Sequence, residues 1–118
     1  MKPDGSVRIL RNDGEWRRGV IRATGPTYVT IDVYVVDRWV RDLYPHDTLE
    51  AMQALHDATD AVVKARDAVV IAAKAWSKYA PQDARDDAHI DNLQRAVTDL
   101  RNAERAESEA RARLDALR

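Results

Sequence analysis

Hydrophobic and polar positions along this chain follow two different periods, and the change falls at Pro45. Upstream the period is two. In "YVTIDVYVV" (28–36), Val29, Ile31, Val33 and Val35 fall on one side, and Tyr28, Thr30, Asp32 and Tyr34 on the other. "SVRIL" (6–10), "WRRGVIRAT" (16–24) and "RWVRDLY" (38–44) read as further strands, separated by the turn signals "NDGE" and "GPT". Strands at this spacing predict a small twisted antiparallel sheet or barrel.

Downstream the period is helical. "DTLE" places Asp47 at an N-cap with Glu50 three residues on. The pattern then runs unbroken over 48–79, stops at "YAPQD", and resumes over 84–117 after Pro81. Two helices of similar length joined by a short loop predict an antiparallel hairpin. The fold class is therefore α+β, with a β-domain over 1–46 and a helical hairpin over 47–118.

Within the first helix alanine recurs at 51, 54, 58, 61, 65, 68, 72 and 75, in steps of three and four. Beside it Leu55, Val62, Val69 and Trp76 repeat every seven residues. The second helix carries Leu93, Ala96, Leu100, Ala103, Glu107, Ala110, Leu114 and Leu117 at the same spacing, flanked by Val97. Heptads on both arms predict coiled-coil packing. The candidate seam is Ala51, Ala54, Leu55, Ala58, Ala61, Val62, Ala65, Ala68, Val69, Ala72, Ala75 and Trp76 against Leu93, Val97 and Leu100. Helix propensity explains why alanine is abundant but not its strict phase. Small side chains on the seam predict helix axes near the low end of the usual range of about 8–10 Å. Val63, Val70 and Ile71, with Ile90 and Val97, form a further apolar strip that one hairpin leaves uncovered. That strip predicts a homodimer built as a four-helix bundle.

Charge and composition narrow the class. The chain has 118 residues, 19 basic against 20 acidic, for a net charge of −1. That balance gives no global attraction to nucleic acid or anionic lipid. Cysteine is absent, which excludes a disulfide framework and thiolate chemistry. The opening "MKPDGSVRIL" lacks a signal-peptide core, and no apolar run approaches a membrane span, so the expectation is a cytoplasmic protein off the membrane. Only Lys2, Lys64, Lys74 and Lys78 are lysine among the basic residues, and phenylalanine is absent. With the wealth of Ala and Asp this points to a GC-rich genome, such as an actinobacterium or one of its phages.

Candidate chemistry is sparse. The four glycines, at 5, 14, 19 and 25, form no phosphate-binding loop. His56 and Asp60 lie four apart on one helix, and Asp86 and His89 three apart on the other, too distant along the hairpin to share a metal. The acidic run "DARDDAHID" (83–91) reads as helix-start electrostatics rather than an acid–base site. No catalytic residue, metal or cofactor is expected. The richest constellation is Arg17, Arg18, Arg22, Arg38 and Arg41 among Trp16, Tyr28, Tyr34, Trp39 and Tyr44, with Trp16, Tyr34 and Trp39 as the aromatic members of the candidate ligand face. Arginine interleaved with aromatics on a sheet suits stacking and phosphate contact. Its rival reading is ordinary core and surface of a small domain.

The stretch "DGEWRRGVIRATGPTYVTIDVYVVDRWVRDLYP" (13–45) resembles a small SH3-like barrel of the Tudor or KOW kind. The resemblance rests on a tryptophan opening a strand, a glycine within it, a turn, a long valine-rich strand and a shorter one. It implies a binding module for peptides, proteins or nucleic acid rather than an enzyme. The expected function is a non-catalytic interaction or adaptor protein on a self-associating hairpin, such as a phage factor that binds a host protein. The alternative is a nucleic-acid-binding module that uses the Arg/aromatic face.

Overall fold

Four strands and two helices follow one another in the computed structural model, which describes residues 5–79 and 87–118. They are β1 (Ser6–Leu10), β2 (Trp16–Thr24), β3 (Tyr28–Val35), β4 (Arg38–Pro45), α1 (His46–Tyr79) and α2 (Asp87–Leu117). The strands form an open antiparallel meander in the order β1-β2-β3-β4, with β1 and β4 at the edges. Of the two arrangements the alternation allows, it is the open sheet that forms. The interhelix turn, the expected helix start at residue 84 and residues 83–86 of the acidic run lie outside the described residues, Asp86 of the second histidine pair among them.

Strand alternation becomes the two faces of the sheet. Val29, Ile31 and Val33 of β3 are buried, joined by Val7 and Ile9 of β1 and Ile21 of β2. One residue on this face has no side chain. Gly19 pairs with Val7 and Val33, and a Cβ there would stand 2.8 Å from Ile31 Cγ2 and 2.9 Å from Ile9 Cγ1. The glycine is the hole into which three branched side chains converge.

By packing, the chain divides into Met1–His56 with Ala110–Arg118, and Asp57–Glu109. The first unit thus takes in the start of α1 and the end of α2 as well as the sheet. Leu49, Ala51, Met52, Leu55 and Leu114 are all but fully buried and join the sheet's core cluster. A four-stranded sheet with one apolar face needs such a cover, and these helix ends supply it. Strand β4 runs directly into α1, which begins at His46 rather than after an Asp47 cap. Asp47 therefore lies in the first turn, where its charge complements the helix dipole. The His46 ring is fixed by a 2.7 Å contact from Nε2 to the Gly25 carbonyl.

The edge of β1 is closed by side chains. Gln53 of α1 accepts a hydrogen bond from the Arg8 amide (2.9 Å) and donates one to the Arg8 carbonyl (2.6 Å). Its carboxamide does what a neighbouring strand would do. Arg118 adds a hydrogen bond to the Leu10 carbonyl.

The second unit is the hairpin of α1 and α2 over Asp57–Glu109. Its alanine stripe splits in two. Ala58, Ala65 and Ala72 are half-buried, whereas Ala61 and Ala68 are exposed; in the first unit Ala51 is buried and Ala54 exposed. The inward line of α1 is thus 51, 55, 58, 62, 65, 69 and 72, in which alanine alternates with Leu55, Val62 and Val69. A seven-residue repeat holds each class of position in one line, and the larger side chains decide which line faces inward. Burial fades along α1, from Val62 (2% exposed) through half-buried Val69 to exposed Trp76.

Candidate functional site

The Arg/aromatic constellation is only partly brought together. Trp16 is half-buried against the core cluster, and its ring meets the His56 ring edge-on at 5.2 Å and 75°. Tryptophan and histidine here hold α1 to the start of β2, and His56 is engaged in packing rather than paired with Asp60. Asp60 instead pairs with Lys64 at 3.1 Å, one turn on. Arg17 pairs with Asp13 at 2.9 Å in the β1–β2 turn. The Glu15 amide donates to that carboxylate and is the main reason, with Arg17 second, that Asp13 is held below the usual carboxylate range.

The remaining members gather on the solvent face of the sheet and its β3–β4 end. Tyr34 and Trp39 are directly opposite across β3 and β4, both exposed, with ring centroids 5.1 Å apart and planes tilted by 54°. Next along, Asp32 accepts from Arg22 Nε at 2.8 Å and from Arg41 Nε at 3.2 Å. The Arg22 hydrogen bond is the main reason its carboxyl group is held below its ordinary pKa, with Arg41 adding to it. Arg18 and Arg38 are exposed. A β-bulge between Ile21 and Ala23 changes the β2–β3 register beside Arg22.

The hairpin that carries the aromatic pair is strained at its tip. Val36 has φ 60°, a left-handed conformation disfavoured for a β-branched residue. The Asp37 amide donates to the Val35 carbonyl at 2.7 Å, and the chain reverses over Val36 and Asp37 between the paired Val35 and Arg38. Its side chain is 77% exposed. The composition of "VVDR" gave no sign of this, since the usual glycine or asparagine is absent.

A second, polar recess of about 370 Å³ lies in the first unit. It is lined by Arg11, Asp42, Tyr44, Thr48 and Arg118, among others. The Tyr44 hydroxyl donates to Asp42 Oδ2 at 2.8 Å, and Arg11 stands 3.8 Å from the same oxygen. Burial first, and the Asp42 carboxylate second, push the Tyr44 phenol well above its ordinary pKa. The Tyr44 hydroxyl is satisfied by Asp42, whereas Arg11 Nη1 is buried with no hydrogen-bond partner; the sequence places Tyr44 among the aromatics near the arginines but does not reveal this pairing.

In the hairpin unit the candidate seam is half used. Val62 is buried, and Ala58, Ala65, Val69, Ala72, Ala75, Leu93, Val97 and Leu100 are half-buried. A groove of about 470 Å³ runs beside the seam, floored by Ala68, Ala72, Ala75 and Ala96 with Ile71 on its wall. Val63 and Val70, about half-exposed, do not line this groove. Consecutive helical residues diverge by roughly 100°, so Val70 and Ile71 belong to different sides rather than to one strip. Among the described residues there is no cluster of metal-ligating side chains, and no helix long and apolar enough to cross a membrane. Comparison with family models, with curated proteins and with solved structures returned no match.

Proposed function

We propose that this chain is a non-catalytic interaction protein whose hairpin unit pairs with a second copy of itself. The observation that carries the reading is the incomplete burial of the hairpin's own seam. Val69, Leu93 and Leu100 occupy inward positions yet stay half-exposed, beside a groove whose four alanines and Ile71 are bordered by Asn92, Arg95 and Asp99. Apolar side chains at heptad spacing gain about 25 cal/mol for each further Å² removed from water. Two hairpins laid groove to groove make a four-helix bundle in which all these positions become interior. Small residues in the groove let a partner helix settle deeply, and this gives the exposed Ala68 a use.

The test is light scattering on a sizing column, with wild type and Val69→Asp compared. The dimer mass is expected to fall to that of a monomer in the variant. The near-ultraviolet signal of Trp16 should persist, because that residue belongs to the other unit. A variant that stays dimeric overturns the hairpin as the interface.

A second reading, binding of single-stranded nucleic acid, is favoured by the exposed Tyr34–Trp39 pair beside Arg18, Arg22 and Arg41. Aromatic faces stack on bases of any sequence, and guanidinium groups track the phosphates. Asp32 already engages two of the arginines, so the face is less positive than its arginine content suggests. Fluorescence anisotropy with labelled oligo-dT tests it. Binding that weakens steeply with salt and is lost in Trp39→Ala supports it.

A further inference from the structure

The two edges of the sheet differ. Edge β1 is occupied by Gln53 and Arg118, whereas β4 runs for eight residues with no partner along its outer side among the described residues. Which groups it presents follows from the ladder. The Arg8 amide and carbonyl point away from β2, so Val7 and Ile9 bond to Gly19 and Arg17. Bonding alternates from one residue to the next in an antiparallel sheet. Carried across β2 and β3, the alternation directs Val33 and Ile31 to Val40 and Asp42. The N–H and C=O groups of Trp39, Arg41 and Leu43 therefore face outward from β4.

The side chains of the same three residues stand on the solvent face beside those open groups. Trp39 is 49% and Leu43 62% exposed, and the Arg41 side chain is 68% exposed. We infer that β4 is a docking edge for an extended peptide of apolar–x–acidic–x–apolar pattern. Such a segment adds a fifth strand, its backbone completing the hydrogen bonds of Trp39, Arg41 and Leu43. Its acidic residue meets Arg41, and its apolar residues lie against Trp39 and Leu43. The strand's exposed charges are Arg38 and Arg41, and its one acid, Asp42, is half-buried and hydrogen-bonded by Tyr44. Arg41 shares the Asp32 carboxylate with Arg22, so two guanidinium groups meet that one acid beside the edge, and the Arg41 side chain stays largely exposed to a second carboxylate. A second copy of β4 fits poorly, because the antiparallel register that uses all three residues sets Arg41 against Arg41 of the partner.

The experiment uses the full chain, isotope-labelled for amide NMR, with the heptapeptide acetyl-SITETIS-amide and its lysine counterpart acetyl-SITKTIS-amide. The glutamate peptide is expected to slow exchange of the Trp39, Arg41 and Leu43 amides and to bind about tenfold more tightly than the lysine peptide. Arg41→Glu is expected to reverse that preference and Arg41→Gln to erase it. Equal binding of the two peptides overturns the proposal, as does protection that falls on β1 or the helices. So does an oligo-dT probe that shifts these amides where the glutamate peptide does not.

Discussion

Gly19 and Val36 are opposite cases of backbone and side chain in conflict. Gly19 sits where a Cβ would collide with Ile31 and Ile9. Both neighbours are branched and buried, so neither can swing aside. Gly19→Ala should cost about 1–3 kcal/mol in a denaturant melt; an unchanged midpoint would show that the core yields there. At Val36 the strain lies in the backbone and the side chain is in solvent. Val36→Gly should raise stability by up to about 1 kcal/mol, strain relief exceeding the added freedom of the unfolded chain. A lower melting temperature for this variant would mean that the Val36 side chain makes contacts outside its own sheet. Titration adds a pair of signs. The carboxylate form of Asp32 is favoured in the fold, chiefly by Arg22, so its contribution is present above about pH 4 and lost as pH falls further. Tyr44 is the reverse. Burial and Asp42 favour its neutral phenol, so its contribution is present below about pH 10 and lost as pH rises past it. Melting temperatures measured from pH 8 upward should drop above about pH 10 in wild type and less in Tyr44→Phe. Equal slopes would mean that Tyr44 titrates as it does in the unfolded chain.

Among the elements, the strands were legible because one face is buried and one is wet. The period-two alternation of β3 gives its bounds to within a residue, and the turn residues of "NDGE" and "GPT" mark the others. What one-dimensional pattern does not carry is how an edge is finished. Nothing in "AMQALH" marks Gln53 as the cap of β1, because its partners are backbone groups 45 residues away. Gln53→Ala would bare the Arg8 amide and carbonyl, at a cost of about 1–2 kcal/mol and with faster exchange of the Arg8 amide; unaltered exchange would show that water replaces the side chain at no loss. The alanine stripe was legible as a repeat and only in part as a seam. Its strict phase drew attention to the small residues, while Leu55, Val62 and Val69 mark the inward line. Three of the eight alanines, Ala54, Ala61 and Ala68, turn to solvent. The candidate ligand face was legible in part for the same reason. Tyr34, Trp39 and Arg41 follow the wet parity of their strands, whereas Trp16 is drawn to His56, a contact 40 residues distant in sequence.

On the scale of the whole molecule, the sheet, closed by the ends of the two helices, has a core of side chains that are almost wholly buried. Among the described residues of the hairpin unit only Val62 is buried to that degree; the other inward residues are half-covered, and Ile71 is 69% exposed beside a groove. That contrast between the units is the basis for assigning self-association to the hairpin, and it predicts an equilibrium that dilution can shift. Sedimentation equilibrium of the wild-type chain, run from about 1 to 100 µM, spans the range in which a modest interface dissociates. The account predicts a mass that rises with concentration from the 13.4 kDa of one chain toward twice that value. A mass that stays at 13.4 kDa across the whole range would contradict it.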